Sequence, residues 1–333
     1  MNNFKKIGLT ALAASLVSVS ANAGGLTISG AASMNVGGYS GENSNSPATF
    51  SMGNQVTMSG SGELDNGMTV SLSYQLDHND ANSGPFDNHS LTVSSDALGS
   101  LTLTGHGGGS AASSMDATAA GDVWDTFDGA RGTDYTKTNS AAGTAIVTAL
   151  GMSSSAPGNN SFMYTLPTLM DGVAVKLSYE PQQSGNSIDS GTGFNITYTG
   201  VEGLTVAYGI ADEVGTTSAL SGEQTAMKLS YAYGPVTVTA TESEFDVQTA
   251  SSDQDVSSMA ISYTISDEMS VTYGTEEFST TSATDREYTV LKGSYTSGGM
   301  TVSAQMKEAE NVAHGTASNQ DFEYWGLGLA FAF

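Results

Sequence analysis

The sequence predicts an all-β protein, a 16-stranded antiparallel transmembrane β-barrel with a long third loop folded inward. Three observations predict this fold: apolar side chains at alternate positions, short turns that alternate with long polar loops, and a C-terminal segment that ends in an aromatic residue. From Trp325 to Phe333, large apolar side chains occupy the odd positions and Gly or Ala the even ones. Because successive side chains of a strand point to opposite faces, this segment has one apolar face. Such a face suits a barrel wall in contact with lipid.

Tight turns divide the alternating segments. Asn and Gly accept the positive φ that such turns require, so Asp65-Asn66-Gly67 between two alternating segments is a strong hairpin signal. Similar signals occur at Ala97-Leu98-Gly99, Met170-Asp171-Gly172, Val201-Glu202-Gly203, Gly234-Pro235, Ser266-Asp267-Glu268 and Ser297-Gly298-Gly299. The sequence therefore predicts seven tight hairpins, all at one end of the sheet.

Polar loops lie between these hairpins, at about residues 41–48, 79–86, 107–159, 182–190, 213–222, 247–254, 279–284 and 308–319. Seven turns and eight loops join sixteen strands, which brings both strand termini to the short-turn end. The strand that starts near Leu26 is expected to pair with the terminal strand and close the cylinder, because a sheet in a membrane cannot leave an open edge. Aromatic residues near the short turns predict an interfacial girdle: Tyr164, Tyr198, Tyr231, Tyr233, Tyr263, Tyr295 and Phe333.

The N-terminus has the features of a secretory signal. Lys5 and Lys6 precede an apolar stretch of about 13 residues, and Ala21-Asn22-Ala23 is a small-residue cleavage signal. We therefore expect a signal peptide at residues 1–23 and a barrel at residues 24–333. No later apolar stretch has the length of a transmembrane helix, whereas a membrane-spanning β-strand needs only about 9 to 11 residues.

In several strands the positions that alternate with the apolar ones are polar, as in Thr69, Ser71, Ser73 and Gln75. Sixteen strands enclose more space than side chains fill, so these positions predict a water-filled interior. The third loop, about 107–159, is long enough to be functional. We expect it to constrict the pore through charged residues, with Trp124 and Phe127 as its anchors on the wall. The charged candidates are Asp116, Asp122, Asp125, Asp128, Arg131, Asp134 and Lys137.

Composition excludes several functions. The chain has no Cys, so it has neither disulfides nor thiolate metal sites, and its formal charge of −25 makes nucleic acid an unsuitable partner. The four His are dispersed without helical metal-binding spacing, and no nucleophile and base form a recognisable pair. We therefore expect neither an enzyme nor a metal centre.

The whole chain after residue 23 resembles a Gram-negative outer-membrane general diffusion porin, most similar to the alphaproteobacterial type. The resemblance depends on the signal peptide, the strand count, the Asp122–Asp125 core of the third loop, and the segment Leu327–Phe333. It implies a location in the outer membrane of a Gram-negative bacterium, contact with outer-membrane lipid, and a homotrimer whose protomers each pass small hydrophilic solutes and ions. It also implies that the barrel-assembly machinery recognises the C-terminal strand, with Gly328, Phe331 and Phe333 as the signal.

One departure from the family concerns charge. Family members place a basic cluster on the early wall strands, whereas this chain has no Lys or Arg between Lys6 and Arg131. The remaining candidates for the pore wall are His106, Lys176, Lys228, Lys292 and Lys307. We therefore expect a negative constriction that prefers cations, because rings of Asp and Glu select cations.

Other acidic residues are assigned to exposed loops, where weakly bound divalent cations could bridge them to lipid phosphates. These are Glu242, Glu244, Asp246, Asp253, Asp255, Glu276 and Glu277. Two alternative functions stay open at this point: a substrate-specific outer-membrane channel, which would have stacked aromatic residues along its lumen, and a surface β-rich adhesin.

Overall fold

The computed structural model describes residues 25–41, 48–77, 87–115, 118–127, 160–181, 190–213, 222–247, 253–280, 285–311 and 321–333, without the side chains of Ser114, Asp125, Glu213, Val247 and Thr280. The predicted signal peptide lies outside these residues. Among the described residues, no helix has the length and apolar character needed to cross a membrane.

Sixteen strands form one closed antiparallel sheet, which confirms the predicted fold class. They are β1 (Thr27–Gly41), β2 (Thr49–Glu63), β3 (Thr69–Asp77), β4 (Asn88–Ser95), β5 (Gly99–His106), β6 (Ser161–Thr165), β7 (Val173–Glu180), β8 (Gly191–Tyr198), β9 (Leu204–Glu213), β10 (Gly222–Tyr233), β11 (Val236–Val247), β12 (Gln254–Ser266), β13 (Met269–Thr280), β14 (Arg286–Ser297), β15 (Met300–Glu310) and β16 (Phe322–Ala332). The described part of the third loop contains two short 3-10 helices, Ala112–Met115 and Trp124–Phe127.

The cylinder closes between β1 and β16, which pair from Ala31 opposite Ala332 to Gly41 opposite Phe322. Beyond this register, Gly30 and Phe333 exchange both backbone hydrogen bonds, at 2.7 and 3.0 Å. The last residue of the chain therefore belongs to the seam, and closure satisfies the backbone groups that an open edge would expose to lipid.

All seven predicted tight turns connect consecutive strands, and six of them contain a glycine with positive φ. Apolar side chains at the outward positions are exposed, for example Leu229 at 51% and Ile261 at 48%. Next to the short turns, Tyr231, Tyr233 and Phe333 are also exposed, at 48%, 77% and 78%. The outer surface thus has the apolar band and the aromatic girdle that a membrane-spanning barrel requires.

Candidate pore and its constriction

The described part of the third loop lies inside the barrel. Its backbone N–H groups donate to inward side chains of three strands: Ala111 to Ser178 Oγ at 2.7 Å, Ala119 to Thr241 Oγ1 at 2.9 Å, and Ala120 to Ser258 Oγ at 3.0 Å. Farther along, Tyr39 of β1 donates its hydroxyl to the carbonyl of Thr126 at 2.7 Å. The segment therefore follows the inner wall from β7, past β11 and β12, to β1.

A buried carboxylate on β13 binds the middle of this segment. Glu276 is 2% exposed, and its Oε1 accepts a hydrogen bond from the Thr118 hydroxyl and one from Val123 N at 3.0 Å. Its Oε2 accepts a hydrogen bond from Trp124 N at 3.1 Å. Since Val123 and Trp124 lead into the second 3-10 helix, Glu276 satisfies N–H groups that the helix itself leaves unpaired.

The assignment of Glu276 to an exposed loop was wrong. Met269, Val271 and Tyr273 of β13 face lipid, so the alternation of the same strand turns Glu276 inward. The sequence signal for this direction is the alternation of β13 itself, continued as far as position 276.

An apolar cluster, here called the loop seat, forms where the segment meets the wall. It consists of Ala120, Val123 and Phe127 from the loop and Val256, Phe278, Tyr288, Val290, Ala309 and Phe322 from β12 to β16. The Phe127 ring lies 6.0 Å from Tyr288 and 6.3 Å from Tyr39, and the Trp124 ring lies 5.9 Å from Phe278. The interior is therefore not polar throughout. Near the long-loop end of β12 to β16, apolar side chains pack around the loop.

Small residues let the loop approach the wall closely. The first 3-10 helix packs through Ala112 and Met115 against Ala207, Ala211 and Ala226. At Gly274, a Cβ atom would stand 2.7 Å from Ala120 Cβ, closer than side chains tolerate. Gly274 is therefore required for contact between β13 and the loop, rather than for backbone freedom.

The predicted acidic residues of the constriction are only partly described. The Asp122 carboxylate accepts a hydrogen bond from Thr118 N at 3.0 Å, while Asp122 N donates to Thr118 Oγ1 at 2.9 Å, so the two residues close a turn with φ 51° at Asp122. The backbone of Asp125 lies in the second 3-10 helix. Asp116, Asp128, Arg131, Asp134, Lys137 and the Asp125 side chain lie outside the described residues, and their roles stay predictions.

Four lysines occupy inward positions of the wall: Lys176 on β7, Lys228 on β10, Lys292 on β14 and Lys307 on β15. Lys307 Nζ donates to Thr126 Oγ1. Lys292 Nζ lies near Gly121, 3.4 Å from where a Cβ atom would stand. Two lysines therefore lie beside the loop on its own side of the lumen, and not across from it.

His106 was predicted to line the pore wall, but it does not follow the alternation of side chains along β5. The register between β4 and β5 shifts at this point, so His106 pairs with His89 while Ser90 pairs with Thr104. The extra residue, Gly105, breaks the alternation just before His106. The ring Nδ1 of His106 contacts the carbonyl oxygen of Asp87 at the loop end of β4.

The arrangement so far is a closed barrel with an apolar outer band and an inner segment bound to its wall. The sequence matches a family model described as Gram-negative porin over residues 8–333. The protein belongs to the Gram-negative porin family.

Solved structures agree with this membership. The porin is similar to the "Anion-selective porin from Comamonas acidovorans", with 14% identity over 93% of this chain and 99% of that chain, and a TM-score of 0.65. It is also similar to a loop-deletion mutant of OmpT from Vibrio cholerae, with 17% identity over 93% and 99% of the two chains and a TM-score of 0.63. A mutant of the Rh. blastica porin matches with 14% identity over 93% and 100% of the two chains and a TM-score of 0.61. No curated protein sequence matches.

At these identities the solved structures establish the fold, and the family model establishes the class of function. The protein is an outer-membrane porin channel of a Gram-negative bacterium, which favours transport over the adhesin alternative and a channel over an enzyme. Membership in the alphaproteobacterial type stays a prediction.

One basic residue of the porin was missed in the sequence. Arg286 begins β14, is 1% exposed, and places its guanidinium carbon 5.3 Å from the centre of the Phe278 ring. Within the described residues, its Nε and Nη2 have no hydrogen-bond partner. Arg286 is the first residue of β14 and directly follows a polar loop. The alternation that shows its inward direction is clear only farther along the strand.

The C-terminal residues of the porin lie on both faces of the wall. Phe331 and Phe333 face lipid and are 40% and 78% exposed, and the Phe333 ring covers Gly30. Gly328 faces inward, where a Cβ atom would stand 2.9 Å from Asn35 Oδ1. Recognition of these three residues by the barrel-assembly machinery stays a prediction.

The assignment to loops was also wrong for Glu242, Glu244, Asp246, Asp255 and Glu277, which lie within β11, β12 and β13, whereas Asp253 does precede β12. Together with carboxylates of neighbouring strands, these six residues form an outward-facing anionic rim at the long-loop end of the strands. Its members are Asp212, Glu223, Glu242, Glu244, Asp246, Asp253, Asp255, Glu277, Glu287, Glu308, Glu310 and Glu323. Several stand directly opposite each other, for example Glu244 and Asp255, and Glu277 and Glu287. Within the described residues, no group of three or more His, Asp or Glu side chains is arranged to hold a metal ion, so the expected divalent cations stay a prediction.

Proposed function

We propose that this porin forms a water-filled channel for passive diffusion of small hydrophilic solutes and ions, narrowed by the third loop and preferring cations. The observation that carries the proposal is the loop seat, together with the hydrogen bonds that hold the loop from β7 to β1. A 16-stranded barrel leaves an aqueous lumen. A segment bound to its inner wall narrows that lumen.

Charge supports the preference for cations. The chain has a formal charge of −25, and its first six strands contain no Lys or Arg. The anionic rim adds a negative potential near the mouth of the channel, whereas the four inward lysines and Arg286 oppose it inside. The net preference is therefore for cations, and it depends on long-range potentials that salt screens.

Reversal potentials across a KCl gradient test this preference. We expect K⁺ to be more permeant than Cl⁻ in 0.1 M salt, where the Debye length is about 10 Å, and a weaker preference at 1 M, where it is about 3 Å. A second test is Ser257→Lys, which adds a cation at the anionic rim and should reduce the preference for K⁺ over Cl⁻. A reversal potential of the opposite sign at low salt would exclude a cation-preferring channel.

We further propose that the porin is a homotrimer that associates through the outward face of β1 to β6. Described outward positions of these strands carry no Asp, Glu, Lys or Arg, in contrast with the anionic rim of β9 to β16. Even near the long-loop end, Phe50 and Met52 are exposed at 61% and 60%. An uncharged face that extends above the usual apolar band suits contact with another copy of the chain, whereas opposed carboxylate rims would repel.

Adding one carboxylate to each face tests the trimer. Phe50→Glu on β2 should shift the refolded protein toward monomers, because it buries a charge between subunits. Ser257→Glu on β12 adds the same charge to the anionic rim and should leave the trimer intact. Light scattering of the protein in detergent, after chromatography, gives the mass. A monomeric wild type, or equal effects of the two variants, would refute this interface.

A further inference from the structure

In one sector of the inner wall, the side chains that face the lumen are mainly those of Ser and Thr. A recess of about 330 Å³ lies at the short-turn half of β2 to β4, beside the start of β1. Its polar side chains are Thr27, Ser59, Ser61, Ser71, Ser73, Ser90 and Thr92. Among the residues that the structure describes, no charged side chain lines it. We refer to it as the hydroxyl recess.

The strand register gathers these hydroxyls from separate parts of the sequence. Ser59 stands opposite Ser73, which stands opposite Ser90, and in the next row Ser61, Ser71 and Thr92 are aligned in the same way. On one side, Thr92 Oγ1 lies 2.8 Å from Thr102 Oγ1 of β5. Neighbouring strands lie about 4.8 Å apart, so each row presents hydroxyls at regular intervals on a rigid surface.

We propose that the hydroxyl recess is a binding subsite for neutral polyhydroxylated solutes of the carbohydrate type. A Ser or Thr hydroxyl both donates and accepts a hydrogen bond, as does each hydroxyl of a sugar, so several pairs can form in either direction. Within the described part of the chain, the recess offers an anion no cation and a cation no carboxylate. The volume lies at the lower end of the range for small-molecule sites, which suits a single sugar ring.

This proposal rests on the proposed function in one respect, because the solute reaches the recess through the lumen. It adds a preference that diffusion alone does not give. Hydroxyl pairs like that of Thr92 and Thr102 also occur elsewhere on the wall, between Ser262 and Thr272 at 2.8 Å and between Ser270 and Ser294 at 2.9 Å. These pairs provide a matched comparison at another sector of the same lumen.

The test measures D-glucose binding to the refolded full-length protein by saturation-transfer NMR in an amine-oxide detergent, which has no sugar headgroup. The recess variant is Ser59→Ala/Ser71→Ala/Ser73→Ala, and the control is Ser262→Ala/Ser270→Ala/Ser294→Ala. Loss of several hydrogen bonds should weaken glucose binding by roughly tenfold or more in the recess variant only. Tetraethylene glycol, a neutral solute with only two hydroxyls, should bind weakly to all three proteins.

A second readout does not depend on variants. In wild-type protein labelled at Thr methyl groups, glucose should shift the Thr27 and Thr92 signals and leave those of Thr239 and Thr272 in place. Equal glucose binding by both triple variants, equal binding of tetraethylene glycol, or shifts spread over all four threonines would overturn the proposal.

KCl conductance of the same proteins in planar bilayers separates this result from the proposed function. Ion current without glucose binding removes the subsite and leaves the channel. Glucose binding without ion current supports the subsite and removes the open channel.

Discussion

Phe127→Ala is expected to detach the third loop from the wall while the barrel stays folded. Phe127 is 1% exposed and is the largest side chain that the loop contributes to its seat. Truncation of a buried Phe to Ala costs about 3 to 5 kcal/mol, because transfer energy is lost and a cavity remains. The strand ladder, including the seam between β1 and β16, does not depend on this contact. The effect should therefore be local.

Limited proteolysis in detergent measures this effect. We expect the loop of the Phe127→Ala protein to be cleaved much faster than that of the wild type, with the same heat-modifiable mobility of the barrel on gels. The control is Tyr208→Ala, which removes a ring of the same exposure, 38%, from the outward face of β9, away from the proposed subunit contact. Equal cleavage of the two variants would show that Phe127 does not hold the loop.

Glu276→Gln is expected to loosen the middle of the same segment. The carboxylate accepts three hydrogen bonds, and a glutamine amide turns one of its two acceptors into a donor that would face an N–H group. A buried donor left unpaired costs about 1 to 3 kcal/mol. The loop should then leave its position more often, so single-channel current should be noisier and its mean larger.

The control for Glu276→Gln is Glu277→Gln, the same substitution at the next residue. Glu277 stands on the outward face opposite Glu287, so its replacement relieves repulsion and does not touch the loop. Single-channel noise measured at the same voltage and salt compares the two. Glu276 has no positioning role if both variants behave like the wild type.

The sequence predicted the barrel well because strand periodicity and turn chemistry are local signals. Asn66 and Gly67 mark a hairpin without reference to any distant residue, and the same holds for the other tight turns. The inward direction of Lys176, Lys228, Lys292 and Lys307 followed from the same count. Counting failed at His106, because a bulge in β5 adds a residue that periodicity cannot reveal.

The loop seat could not be predicted in this way. Phe127 meets Tyr39 and Tyr288, which lie far from it in the sequence, and Glu276 binds residues more than 150 positions away. The alternation of side chains along β13 and β14 indicates that Phe278 and Tyr288 point inward. Whether they contact water or Phe127 depends on the path of the loop. The interior is therefore wet near the hydroxyl rows and dry at the loop seat.

The most direct test of a channel narrowed by its third loop is single-channel conductance of the refolded protein, compared with a variant that lacks residues 122–134. The deletion removes the second 3-10 helix and with it the Phe127 anchor. We predict stepwise currents for the wild type and a clearly larger conductance for the deletion variant. Equal conductance in two correctly folded proteins would contradict this account, because the loop would then not set the width of the pore.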